Sequence, residues 1–311
     1  MIETHEDSAS RQATTADKIS AHWSIFSIPK LFVGRDEIAQ RNAIGSWLRL
    51  VPSEQILLLG NAAGTPEVAR EFGLQHFAAI SHNEYGTPLL NKAFAAANRI
   101  SLSPLLMYVN ADVMLDADMA TALTRLIAAS IGPFLAIGRR INIDVDRAIQ
   151  WGDADEVRWL RQQVLSGVRE SVLCKDFFVF PRGWFANVPP FAVGRGNWDN
   201  WMVFAAKKMK MKVIDLTPCA VAIHPNHGHD HVVGGQRAAY VHGVEARANQ
   251  RLAGGRHWIR GSTCNWMLTP TALRPQPFAR LQLPFWRDLP RIARLAWKLF
   301  FTFACSLGYF S

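Results

Sequence analysis

What the sequence lacks narrows the possibilities first. Its four cysteines, Cys174, Cys219, Cys264 and Cys305, stand tens of residues apart with no C-x-x-C pair, so neither a thiolate zinc site nor a disulfide framework is indicated. That usage fits a reducing, cytoplasmic setting. The opening residues, MIETHEDS, carry acids where a secretory signal needs a basic stretch and an apolar core, so export by that route is not expected. No run of 18 uncharged apolar residues occurs, and the longest candidate, 299–310, includes polar positions and is too short to span a bilayer. No G-x-G-x-x-G follows the first apolar run and no G-x-x-x-x-G-K-[ST] occurs, which removes the dinucleotide fingerprint and the Walker loop. Internal repeats and low-complexity blocks are also missing.

The formal net charge of +9 is unevenly placed: residues 251–311 hold nine Lys/Arg and one acid, Asp288. The first 250 residues are therefore almost neutral, which disfavours a nucleic-acid binder whose basic surface lies on the folded body. With 49% hydrophobic and 19% charged residues, the 311-residue chain has the composition of a globular protein with a sizeable core.

Along the chain, residues 1–20 are polar, small and acidic and read as a disordered arm. Apolar runs at 23–32, 55–60, 74–80 and 105–115 have strand length, and helical patterns fill 35–50, 66–73 and 87–100 between them. This alternation predicts right-handed βαβ units and an open, mostly parallel sheet flanked by helices. Ligands of such sheets lie at the carboxyl ends of the strands. Further on, 119–130, 153–165 and 198–209 read as helices, 134–144 and 176–185 as strands, and 212–227 as one or two strands.

Three clusters carry chemistry. The strand YVNADVML stops at Asn110-Ala111-Asp112, and a carboxylate there can reach a divalent cation that bridges a diphosphate. The competing reading is an ordinary turn, since Asn and Asp are common at strand ends. In GRGNWDNWMVF, Asp199 enters a first helical turn between Trp198 and Trp201; it can act as general base for an acceptor hydroxyl while the tryptophans wall a sugar, or merely cap the helix. In AIHPNHGHDH, four histidines follow an apolar strand. His224 is the favoured metal ligand; His227, His229 and His231 match no zinc-hydrolase spacing and stay unassigned.

The order of these features, with phrases such as FVGRDEIAQRNAI, NEYGTPLLN and FFVFPRGWF, resembles the GT-A fold nucleotide-sugar glycosyltransferases, and within them a bacterial family 2-like group. The resemblance spans about residues 23–231. It implies a GT-A α/β (Rossmann-like) catalytic domain over 21–250. It also implies Mn²⁺ or Mg²⁺ held by Asp112 and His224, and Asp199 as base in an inverting transfer to a glycan or lipid-linked acceptor. Asn110 stands where that family has the first acid of its metal motif. Around the donor the resemblance suggests Ser27, Ile28, Arg41, Asn91 and Asn110, and around the acceptor Asp176, Trp198 and Trp201. Arg139 and Arg140 are further candidates for phosphates or an anionic acceptor, beside a plain surface role.

In the basic extension, 251–311, Arg287, Arg291, Arg294 and Lys298 recur at steps of four, three and four, on one face of an amphipathic helix. Such a helix suits an anionic membrane surface, placing the protein peripherally at the inner face of the cell membrane; a helix packed on the body is the other reading. Two alternative functions stay open at this point. One is a metal-dependent hydrolase built on the 224–231 histidines, and the other is a non-catalytic sugar-nucleotide or membrane binder, for which Asn110 speaks.

Overall fold

A computed structural model describes residues 22–170, 174–226, 235, 238–254 and 264–276. The chain opens with β1 (Trp23–Ser27), α1 (Gly34–Trp47), β2 (Ile56–Leu59), α2 (Thr65–Glu71), β3 (Gln75–Phe77), α3 (Leu90–Ile100) and β4 (Leu105–Val109). These are the expected βαβ units: β4, β1, β2 and β3 run parallel in that spatial order. Next come β5 (Met114–Leu115), α4 (Asp118–Ala128), β6 (Phe134–Ile137), β7 (Arg140–Ile143), α5 (Ala154–Ser166), β8 (Val168–Arg169) and β9 (Phe177–Pro181). The described chain ends with α6 (Trp198–Lys208), β10 (Lys212–Asp215), β11 (Ala222–Pro225), a single wide turn at Ala238–His242, α7 (Val244–Leu252), β12 (Trp266–Leu268) and β13 (Leu273–Pro275).

Two sheets result. Nine strands order as β13-β12-β10-β6-β9-β4-β1-β2-β3, with β9 antiparallel between β4 and β6 and β13 antiparallel at the edge. A smaller sheet, β5-β11-β7-β8, stands beside it. Two expected strands are each divided between the sheets. The run 105–115 breaks at Asn110-Ala111-Asp112 into β4 and β5, and 134–144 breaks at Gly138-Arg139 into β6 and β7. Apolar content alone could not show this, because both halves of each run are buried. β12 and β13 extend the main sheet with residues beyond 250.

The pleat sorts the main sheet's side chains onto two faces. Trp23, Ile25, Met107, Val109, Phe177 and Val179 join one core with Trp47 of α1, and Phe26, Leu106, Tyr108, Phe178 and Phe180 join another with Phe94 of α3. In the second core, Phe94 stacks on Tyr108 and Phe180 at centroid distances of 5.5 and 5.8 Å, with Phe26 edge-on at 5.0 Å. Each ring so buried contributes about 1.5–3 kcal/mol by leaving water. This rigid core fixes the strand ends above it. α1 adds a direct tie: the Trp47 indole donates to Val113 O at 2.9 Å and Ser46 Oγ accepts from Leu115 N at 3.0 Å, which pins the chain just after Asp112.

No helix among the described residues is long and apolar enough to cross a membrane. The arm 1–20, His227, His229 and His231, and the basic helix at 285–310 lie outside the described residues.

Candidate active site

The parallel strands β1 and β4 end side by side, and the antiparallel β9 begins at the same edge. Ser27 Oγ donates to Val109 O at 2.6 Å and Asn110 N to Asp176 O at 2.9 Å, so the three chain segments meet in fixed register. Beyond β4 the chain turns through a Val113 N to Asn110 O bond of 3.0 Å, leaving Asp112 buried at the edge. β11 of the second sheet delivers His224, paired in register with Asn142 of β7.

Asp112 uses its two oxygens differently. Lys30, just past β1, donates to Oδ2 at 2.9 Å and lies 3.5 Å from Asp36. Burial opposes the ammonium, yet Asp112 and Asp36 together raise the Lys30 pKa above its ordinary value. The other oxygen, Oδ1, faces His224 Nε2 across 4.0 Å. That gap is too wide for a hydrogen bond. It matches a divalent cation held at about 2.0–2.2 Å from each atom. No third His, Cys, Asp or Glu completes a cluster among the described residues. The pair would hold a cation through one carboxylate oxygen and one imidazole nitrogen.

Asp176 forms the floor. Its Oδ1 accepts from Asn110 Nδ2 at 2.8 Å and from Arg140 Nη1 at 2.9 Å, while Oδ2, also buried, has no hydrogen-bond partner among the described residues. Burial raises its pKa and Arg140 opposes the rise. Asn110 is held at both ends of its amide, since its Oδ1 also accepts the Tyr108 hydroxyl at 3.1 Å. An aspartate at 110 would set a second carboxylate against Asp176, so the amide is the better partner there. Asn110, expected near the donor, is tied in this way to Tyr108 and Asp176.

Asp199 is the second residue of α6, after a tight turn in which Asn197 adopts φ +82°. It is not the helix cap, and Trp198 is not a sugar wall: the indole is buried against Tyr108 and Phe178 at 5.3 and 5.2 Å. Trp201 is partly exposed and meets Phe191 edge-on at 5.3 Å. Burial pushes the Asp199 pKa up, and the Lys175 charge pulls it back. Lys175, itself buried, donates to Asn200 Oδ1 at 2.9 Å.

Over this turn lies the Ala238–His242 segment. Gly196 N donates to Ala239 O at 3.2 Å, and a Cβ on Gly196 would stand 2.8 Å from Tyr240 O, which is why glycine is needed. α7 anchors the segment. Glu245 accepts from Asn83 and from Arg195, both at 2.7 Å, and the buried Asn249 side chain bonds both backbone polar groups of Ala192. Partial burial raises the pKa of Tyr240, which is 44% exposed; Asp176, Asp112 and Asp199 raise it further and Arg140 opposes them.

Of the remaining donor candidates, Ser27 is spent on Val109 and Ile28 is buried in the second core. In Arg41, Glu37 and Glu71 hold the guanidinium at 2.8 and 2.7 Å, with the Phe72 ring beneath. Asn91, near the start of α3, keeps a buried Oδ1 without a hydrogen-bond partner among the described residues. Sequence reasoning missed Lys30, Lys175 and Tyr240. Each works through a partner distant in the chain, and none carried a local motif.

No protein-family model matches the sequence, and no curated protein matches it. Solved structures similar to the chain include glucosyl-3-phosphoglycerate synthase from Mycobacterium tuberculosis in complex with Mg²⁺ and UDP, at 12% identity and TM-score 0.47 over 79% of this chain and 85% of that one. Others are GalNAc-T7 with UDP, GalNAc and Mn²⁺, at 14% identity and 0.48 over 75% and 48%, and the mannosyltransferase PcManGT from Pyrobaculum calidifontis with GDP-Man and Mn²⁺, at 16% identity and 0.41 over 65% and 56%. All three scores fall below 0.5, so what the chain does has to be read from its own site.

Proposed function

We propose that the chain is a GT-A type glycosyltransferase that moves a sugar from a nucleotide-diphosphate donor to a glycan or lipid-linked acceptor. The observation that carries this reading is the facing of Asp112 Oδ1 and His224 Nε2 across 4.0 Å at the carboxyl edge of β1 and β4. Asp199 adds a separate carboxylate at the neighbouring α6 start. Asp112 and His224 are the residues that would hold Mn²⁺ or Mg²⁺, and the bound cation would supply positive charge to a departing diphosphate. Lys30, beside Asp112, adds a fixed ammonium to the same edge.

The remaining tasks fall to this chain's side chains. Asp199 takes the proton of the acceptor hydroxyl as that oxygen forms its bond to the sugar's anomeric carbon. The diphosphate leaves from the opposite side, so the configuration inverts. Asp176, whose Oδ2 has no hydrogen-bond partner among the described residues, would receive an acceptor hydroxyl, and Trp201 would contact the acceptor. The amide at 110 does not argue for a non-catalytic protein, because it serves Asp176 while Asp112 supplies the carboxylate that faces His224. A membrane address through the 251–311 extension rests on its charge pattern alone.

A thermal-shift screen of UDP- and GDP-sugars with and without Mn²⁺ tests the reading, since a ligand that binds only the folded form raises Tm. One donor should stabilise the protein in a Mn²⁺-dependent way. A flat response across the panel, with Mn²⁺ present, would count against it.

A further inference from the structure

The base reading leaves unexplained a lysine buried behind it. Lys175 is 5% exposed, an expensive place for an ammonium, and one of its hydrogen bonds runs through Asn200 to Asp199. Its Nζ donates to Asn200 Oδ1 at 2.9 Å, and Asn200 Nδ2 donates to Asp199 Oδ1 at 3.2 Å. An amide has one accepting and one donating end. With the accepting end taken by Lys175, the donating end is the one that faces the carboxylate. Without the lysine the amide could turn over and present its oxygen to Asp199 instead.

We infer that Lys175 is the positioning residue of the Asp199 carboxylate, holding it through the Asn200 amide with a buried ammonium behind. This rests on Asp199 being the base. The charges around the pair agree with it. Lys175 is lowered by burial and raised by Asp199, then by Cys264, Cys174 and Asp176. Asp199 is raised by burial and lowered by Lys175, by the backbone N–H groups of Asn200 and Asp199, and by the Asn200 amide; Tyr240 is the other titratable group that feels its charge. Lys175 thus opposes the desolvation that raises the pKa of the partly buried Asp199 carboxylate, and so favours its proton-accepting form.

The test is a direct titration of Asp199 by carboxyl ¹³C NMR, its resonance identified by its loss in Asp199→Asn. In Lys175→Met the midpoint should rise by about one pH unit or more, the usual influence of an adjacent opposite charge. Lys175→Arg should restore most of the wild-type midpoint. An unmoved midpoint in folded Lys175→Met overturns the proposal. If that variant does not fold, Asn200→Leu cuts the bridge and leaves the ammonium; here too the midpoint must rise, and an unmoved one overturns the proposal. The base reading is judged separately, by turnover of the screened nucleotide sugar in Asp199→Asn. An active variant defeats the base reading without touching the titration result, whereas an inactive variant with an unmoved midpoint defeats the role of Lys175 alone.

Discussion

Lys30 Nζ sits 2.9 Å from Asp112 Oδ2, on the carboxylate oxygen turned away from His224. One carboxylate thus meets a fixed cation with one oxygen and faces an imidazole with the other. Lys30 offsets the cost of a buried charge and also limits how strongly a second cation is drawn to Asp112 before a diphosphate arrives.

Lys30→Met should therefore have two opposite effects. Folding stability should fall by about 1–3 kcal/mol, because a buried carboxylate loses its partner. Mn²⁺ affinity without nucleotide should rise about tenfold, the result of removing ~1.4 kcal/mol of charge repulsion. Urea unfolding and calorimetric Mn²⁺ titration measure the two; unchanged metal affinity would mean that Lys30 does not compete.

Asp112→Asn and His224→Ala should each remove the Mn²⁺-dependent part of donor stabilisation, measured against each variant's own ligand-free Tm. At a ligand concentration of about a hundred times Kd, that part is worth ~2.7 kcal/mol. Retention of the full Mn²⁺ effect in either variant would move the cation elsewhere.

Asp199→Asn should lower transfer by about 10²–10⁴-fold and also change the pH dependence of stability. Because the folded pKa of Asp199 is raised, the native state holds more protons than the unfolded chain just above the ordinary aspartate range. Its contribution is thus complete below the unfolded pKa and declines as pH rises through the folded one. Urea midpoints of the wild type from pH 4 to 8 should carry this decline. The Asn variant should lack it and be relatively more stable at neutral pH.

Trp198→Ala should cost about 3–5 kcal/mol, as for other buried aromatics, with its defect in stability more than in acceptor KM. Gly196→Ala tests the packing above the site: its methyl would meet Tyr240 O at 2.8 Å, so about 1–3 kcal/mol should be lost. Hydrogen exchange should rise first in residues 238–252 rather than in β4, and uniform protection would show that the contact is dispensable.

What was legible from sequence alone was where Asp112, His224 and Asp199 fall relative to the regular elements. Asp112 follows an apolar strand, His224 lies in another, and Asp199 enters a helix, so periodicity places all three near an edge. Their mutual distance was not readable, because the breaks at Asn110 and Gly138 that pass the chain between sheets carry no strong apolar signal. Lys30 and Asp112 are 82 positions apart, and Lys175 and Asn200 are 25 apart; such pairs exist only after the strands are in register. Arg41 and Trp198 show the converse. Their residue types suggested ligand contact, but Glu37 and Glu71 claim the first and Tyr108 and Phe178 the second.

The reversed direction of β9 has a consequence for which changes the chain can tolerate. Since β9 starts where β4 stops, Lys175 and Asp176 reach the cleft from one dipeptide, one sending an ammonium toward α6 and the other a carboxylate toward Asn110 and Arg140. Losing or gaining a single residue before Phe177 would exchange opposite charges between two compartments at once. Length just upstream of β9 is thus under tighter constraint than residue identity, and a library of insertions scanned along the chain should show its sharpest intolerance there.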